Sequence, residues 1–343
     1  MTTPLSAYTV LVCGAGSIGK RHARNLKSIG VGQIAVFDPD ATMREAIAQE
    51  IGCTTYGDFA EALSTENPDV VFVCSPTKYH VTQAMDAANA GAHLFIEKPL
   101  NHSMQGVEEL KNLAAKKKLT CMVGCNMRFH HGPSTVHKIL EASTIGDVES
   151  ADVHVLFDFT GRADLKGNLE RIRATYNADP SQGGAIRECV HEIDLALWYF
   201  GPGDLERATK IRAQRIGIPE VEGEAKLYML HKDDVTSCVH LSFMNPVYKR
   251  GCSIRGTKGS IEWDFTENIV KVSDERGNPS AAYPAPEGYE VNRMYLDEIM
   301  YFFDCIQSGR KPMGNLDDAI LALEMALKAV ETAKEMEESA VAA

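Results

Sequence analysis

The first third of the chain is punctuated by five short, almost unbroken apolar runs: YTVLVCG, QIAVFDP, VVFVCSP, HLFIEKP and TCMVGCN. Between them, residues 41–51, 78–90 and 103–117 carry apolar side chains at three- and four-residue spacing, the repeat of an amphipathic helix. Strands that are apolar on both faces, alternating with such helices, predict a parallel sheet covered by helices on both sides. This pattern is read as a doubly wound Rossmann domain over residues 1–124.

After Asn126 the pattern changes. A helical segment at 134–143 leads into DVESADVHVLFDF, a polar stretch from Gly161 to Gly184, a further helix, and then strand after strand: ATKIRAQRI, GEAKLYML, VTSCVHLSF, KRGCSIRG, GSIEWDF and NIVKVSD. Lys232-Asp233-Asp234 and Thr257-Lys258-Gly259 have the composition of hairpin turns. The spacing predicts a meander, and hence a second α/β domain over 125–343 with a large, mainly antiparallel open sheet. Helices at 290–308 and 316–338 close the pattern, and the tail EMEESAVAA is expected to fray. No internal repeat is present.

Length and charge narrow the function classes. At 343 residues the chain exceeds the size at which one core usually keeps growing, which agrees with two domains. A net charge of −12 repels nucleic acid and anionic membrane surfaces, so neither is expected as a partner. No apolar run has the length of a membrane span, and the N-terminus lacks the blocks of a secretory signal, so a cytoplasmic location is expected. Nine cysteines without paired spacing read as reduced core thiols, with no metal site among them.

The strongest local signal is Gly14-Ala15-Gly16-Ser17-Ile18-Gly19, placed between a strand and a helix. Glycines in this pattern allow a tight turn, close approach of a pyrophosphate and close helix packing, while the helix N-terminus attracts the phosphate charge. Asp38 ends the second strand, where an acid binds the adenosine ribose hydroxyls; its charge would repel a 2′-phosphate and favours NAD over NADP. Glu97-Lys98-Pro99 ends the strand HLFIEKP, on the side where open α/β sheets bind ligands, and Lys98 there could hydrogen-bond a substrate oxygen or be an ordinary surface charge. Farther on, Glu188, His191 and Asp194 recur at three-residue spacing in one helical pattern, bringing an imidazole between two carboxylates. Proton exchange with a sugar-like hydroxyl, a structural histidine and half of a carboxylate metal site all remain open for this helix, although a second half-site is missing.

Taken in order, GAGSIG, Asp38, CSPTKYH, EKP, CNMRFH and GGAIRECVHEID resemble the glucose-fructose oxidoreductase, inositol dehydrogenase and rhizopine catabolism family, over nearly the whole chain. The resemblance implies hydride transfer at a sugar, cyclitol or related carbon, and a homodimer or homotetramer formed through the C-terminal sheet. It implies that Gly14, Gly16, Ser17, Ile18, Gly19, Asp38, Ser75, Pro76, His80, Glu97, Lys98, Asn126 and Arg128 serve the cofactor. It further implies that Lys98 and His191 are catalytic, and that Lys98, His191 and Asp194 meet the substrate. Where many members carry Asp four residues before the histidine this chain has Arg187, so Glu188 is taken as the third catalytic group. The start GSIGKRHARNL and the segment CNMRFHHGPS look most like members associated with nonulosonic acids and surface glycans. Two other functions fit the same motifs: transient oxidation that assists epimerisation or glycoside cleavage, and a non-catalytic sensor of sugar or NAD. Arg162, Arg171, Arg173 and Tyr176 are either contacts for an acidic sugar or ordinary loop residues.

Overall fold

The computed structural model describes residues 3–161 and 165–336; Arg162 and the tail beyond 336 lie outside the described residues. Two compact units are present. One holds the chain up to Asn126 together with Glu290–Ile320, and the other holds Met127–Tyr289 with the chain from Leu321 onward.

In the first unit the elements run β1 (Thr9–Cys13), α1 (Ser17–Ser28), β2 (Gln33–Phe37), α2 (Ala41–Ile51), β3 (Thr54–Tyr56), α3 (Phe59–Glu66), β4 (Val70–Val73), α4 (His80–Ala90), β5 (His93–Ile96), α5 (Val107–Lys117) and β6 (Cys121–Val123). All strands are parallel, in the order β3-β2-β1-β4-β5-β6. The order reverses between β1 and β4, and crevices for ligands open at the carboxyl ends of strands flanking such a reversal. Helix α1 buries Gly19, His22, Ala23 and Leu26, the period that lays one stripe against the sheet. Strand β3 and helix α3 are absent from the pattern reading because β3 is three half-polar residues long.

The second unit contains α6 (His131–Glu141), β7 (Val148–Asp158), α7 (Leu169–Arg173), α8 (Ala185–Glu188), α9 (Val190–Phe200), β8 (Gly203–Ala213), β9 (Ile218–His231), β10 (Thr236–Ser242), β11 (Met244–Gly256), β12 (Gly259–Asp264), β13 (Ile269–Asp274) and β14 (Pro279–Pro284). The chain closes with α10 (Asn292–Ser308), which belongs to the first unit, then α11 (Leu316–Thr332) and a two-residue β15 (Lys334–Glu335). Nine strands form one sheet, ordered β14-β13-β12-β11-β7-β10-β9-β8-β15. Pairing is antiparallel except for β10 with β7 and β15 with β8.

Two expectations are corrected. The strands do not form a meander in chain order, because β7 lies between β10 and β11. The turn at Lys232–Asp234 does close a hairpin, with Asp233 and Asp234 in left-handed conformation, but only Phe243 separates β10 from β11 and both pair with β7 instead of with each other. Nor does everything after residue 124 form the second unit. Phe302 on α10 meets Phe72 of β4 and Phe95 of β5 edge-on, at 6.0 and 5.6 Å, and those two rings stack at 4.5 Å. The need to cover that aromatic core draws α10 back to the first sheet.

All nine cysteines are free thiols, seven of them buried. No helix among the described residues is long and apolar enough to cross a membrane.

Candidate active site

The glycine-rich turn leaves the carboxyl end of β1. Gly14 has φ +99°, a conformation side chains resist, and a Cβ at Gly19 would lie 1.8 Å from the Gly14 carbonyl oxygen. Above Gly16 a Cβ would meet nothing within 4 Å. No side chain caps the start of α1 at Gly16, so the amides of Ser17, Ile18 and Gly19 open the helix without a protein side chain on them.

Asp38 follows β2 and is held by two backbone amides: Ala15 N donates to Oδ2 at 2.7 Å and Asp40 N to Oδ1 at 2.9 Å. The first of these ties the acid to the glycine-rich turn. A carboxylate has further lone pairs, so Asp38 can still accept from ribose hydroxyls.

Ser75 and Pro76 follow β4, across the strand-order reversal. Ser75 Oγ donates to Gln83 at 2.6 Å. His80, which is buried, sits with Nε2 2.8 Å from the Ser75 carbonyl and Nδ1 2.9 Å from the Pro99 carbonyl. Burial pushes its pKa below the ordinary value even though the two carbonyls favour protonation. The histidine that the sequence places in a cofactor cleft thus has both ring nitrogens on backbone oxygens, linking the β4 loop to the residue after Lys98.

Lys98 lies just beyond β5, before a cis bond to Pro99. Beside it Glu97 is 6 % exposed, with Oε2 accepting from Lys98 N at 3.1 Å and Oε1 accepting from His22 Nε2 at 2.6 Å. Burial works to raise the Glu97 pKa. The His22 contact, through its hydrogen bond and its electrostatics, together with the Lys98 ammonium and the Lys98 amide, outweighs it and holds the carboxyl below its usual value. Asn126 closes this set, its buried Oδ1 without a hydrogen-bond partner.

The remaining four residues belong to the second unit. Glu188 and His191 do not share one continuous helix: Cys189, at φ −91° and ψ 31°, ends α8, and α9 begins at Val190. The single polar arc read from the spacing is therefore interrupted. Glu188 accepts from the Tyr176 hydroxyl. Asp194 and Arg128, assigned from the sequence to substrate and cofactor, are paired with each other. Arg128 Nε and Nη2 reach the two Asp194 oxygens at 2.8 and 2.6 Å, with both side chains almost wholly buried. Trp198 lies under the guanidinium at 5.4 Å.

Three buried groups were not singled out by pattern. Arg250 on β11 pairs with Glu192 on α9 at 2.7 Å, and Ile186 N donates to Glu222 at 3.1 Å at the start of α8. The third is His22, whose only sequence signal is a histidine on the apolar stripe of α1. Among the described residues, no group of His, Cys, Asp and Glu is arranged to hold a metal.

Two family models match the chain. One, described as an oxidoreductase family with an NAD-binding Rossmann fold, matches residues 8–125, and the second, the GFO/IDH/MocA C-terminal domain, matches residues 134–262. The chain is 27% identical to myo-inositol 2-dehydrogenase of Thermotoga maritima over 341 residues, 94% of this chain and 96% of that protein. It is 26% identical to the NAD(+) scyllo-inositol 2-dehydrogenase of Bacillus subtilis over 330 residues, 93% of this chain and 92% of the other. Among solved structures, a UDP-N-acetylglucosamine 3-dehydrogenase from Acidithiobacillus ferrooxidans superposes with a TM-score of 0.79 at 21% identity, covering 95% and 98% of the two chains. At that identity the likeness concerns the fold.

Proposed function

The chain belongs to the GFO/IDH/MocA family of oxidoreductases with an NAD-binding Rossmann fold, and we propose that it is an NAD-dependent dehydrogenase acting on a CH–OH group of a sugar, cyclitol or sugar acid. The observation that carries this reading is the placement of the Gly14–Gly19 turn, Asp38 and Lys98 at the carboxyl ends of β1, β2 and β5 of one parallel sheet. The two inositol dehydrogenases that resemble the chain end to end support the substrate class.

The residues present fit a dinucleotide. Amides at the uncapped start of α1 and the open space above Gly16 suit a pyrophosphate, and Asp38 suits the adenosine ribose. Ser75, Pro76, His80, Glu97 and Asn126 complete the cofactor set; Asn126 Oδ1 is a buried acceptor in need of a donor. With Asp38 held by two amides, a 2′-phosphate would meet a fixed negative charge, which favours NAD over NADP. When bound, the nicotinamide supplies the site that accepts or returns hydride.

The protein's own groups handle the proton and the geometry. Lys98 Nζ hydrogen-bonds the reacting oxygen and favours the charge that builds there. The imidazole of His191 takes the hydroxyl proton in oxidation and returns it in reduction. Glu188, held by Tyr176, orients this acid-base group. Asp194 acts through Arg128, setting the face of α9 that carries His191. The first unit is the cofactor domain in this reading, and the second supplies substrate contacts and, through its open sheet, self-association.

The test is reduced-cofactor formation from NAD and from NADP across hexoses, inositols, nucleotide sugars and nonulosonic acids, with Lys98→Ala and His191→Ala as controls. Turnover with NAD that falls by about 10²–10⁴ in each variant is the expected result. Binding of NAD with no net NADH on any substrate would sink the dehydrogenase reading. Product analysis would then separate transient oxidation from a sensor.

A further inference from the structure

His22 has no place in the family-derived site set, yet it is fully buried and joined to the residue before Lys98. Its ring packs between Phe72, Phe95 and Tyr295, with centroids 5.4, 5.1 and 6.1 Å away. Three aromatic contacts leave the imidazole one orientation, with Nε2 toward Glu97 Oε1 at 2.6 Å. Nδ1 is buried and has no hydrogen-bond partner. The geometry thus places the Nε2 proton in the hydrogen bond to Glu97.

Glu97 passes that constraint on. With one oxygen on His22 and the other on the Lys98 amide, the carboxylate spans from α1 to the residue proposed to hold the reacting oxygen. Gly124 faces it on the next strand end: a Cβ there would lie 3.2 Å from Glu97 Oε1, so glycine leaves the carboxylate its place.

We propose that His22 is a positioning residue for Lys98, acting through Glu97: its Nε2–H holds the Glu97 carboxylate aimed at the Lys98 backbone. This rests on the role given to Lys98 above. The groups facing Glu97 are His22 from α1, Cys74 after β4, His80 from α4, Tyr295 from α10 and its neighbour Lys98. Among these, His22 makes the largest contribution to keeping the carboxyl ionised against burial. Without it, the carboxyl loses that support against burial and takes up a proton at a higher pH. A protonated Glu97 carries no charge for the Lys98 ammonium and has one acceptor oxygen fewer.

The experiment measures the dissociation constant for NAD, by cofactor fluorescence quenching or calorimetry, from about pH 5 to about pH 9. It compares the wild type with His22→Leu, His22→Gln and Glu97→Gln, with the melting temperature of each recorded in parallel. His22→Leu should bind NAD about tenfold more weakly at the acid end and approach the wild type at the alkaline end, its binding step displaced upward. His22→Gln, which can still donate an N–H to Glu97, should restore most of the wild-type profile, and Glu97→Gln should bind weakly with no such step. A His22→Leu protein that melts earlier but keeps the wild-type pH profile would overturn the proposal and leave His22 a packing residue. So would a His22→Gln variant with the same profile as His22→Leu. Because the readout is binding, it remains decisive even if no substrate is ever turned over, the result that sinks the dehydrogenase reading alone.

Discussion

Single side chains decide the chemistry of the second unit, and the Arg128–Asp194 pair is the first to test. Its two charges are removed from water and satisfied by each other in a two-pronged contact. Asp194→Asn leaves the guanidinium without its counter-charge and should destabilise the protein by about 3–5 kcal/mol, whereas an apolar replacement of both residues together should cost much less. Urea unfolding of both variants checks this, and equal losses for single and double replacement would refute it. His130 makes a second prediction. Burial, helped by the charges of Arg250 and His131, lowers its pKa to about 4. The unfolded chain takes up this proton near the ordinary value of about 6.5, so the native state is neutral while the unfolded state is charged between those two values. Its contribution to stability is present above about pH 6.5 and is lost as pH falls toward about 4, by on the order of 3 kcal/mol in all. Replacing His130 with Phe should flatten the stability profile across that window. At this scale the sequence was legible wherever a residue type implies its job: Gly14, Asp38 and Lys98 all stand at strand ends. It was silent on partnership. Nothing in the spacing reveals that Arg128 spends itself on Asp194 or that His22 reaches Glu97, because those contacts link residues 66 and 75 positions apart.

At the scale of elements, local periodicity is reliable and pairing is not. The helix expected at 41–51 is α2 to the residue, and the five apolar runs are β1, β2, β4, β5 and β6. Those signals lie within a dozen residues of chain. The partners of β7 are set by which strands bury Ala151, Val153 and Val155, and no turn sequence announces it. The break at Cys189 is also hidden, since its neighbours keep helical spacing on both sides. Helix α10 offers the clearest test of element packing. Phe302 is fully buried against Phe72 and Phe95, so Phe302→Ala should cost about 3–5 kcal/mol. The loss should appear in hydrogen exchange of β4 and β5, while β9 and β10 keep their protection; uniform loss across both sheets would contradict the division into two units.

For the whole molecule, composition set the class and the motifs set the family, but assembly has to be tested in solution. The proposed self-association surface includes Tyr228 and Leu230 on β9 and Ser150 and Asp152 on β7, the two strands that flank β10. Sedimentation velocity should show a dimer or tetramer, and Tyr228→Arg should shift it toward the single chain without changing the circular dichroism spectrum. A wild type that sediments as one chain at all concentrations would end that idea.

The first unit is built from two stretches of chain, up to Asn126 and from Glu290 to Ile320, with all of the second sheet but the two-residue β15 encoded between them. During synthesis the parallel sheet leaves the ribosome long before Phe302 exists to cover Phe72 and Phe95. At roughly 5–20 residues per second, the wait is on the order of ten seconds. For that interval the nascent Rossmann sheet carries a bare aromatic patch, which makes it a client for chaperones that hold exposed apolar surface. A stalled or prematurely terminated chain would therefore be recognised by that patch, whatever the state of its glycine-rich turn.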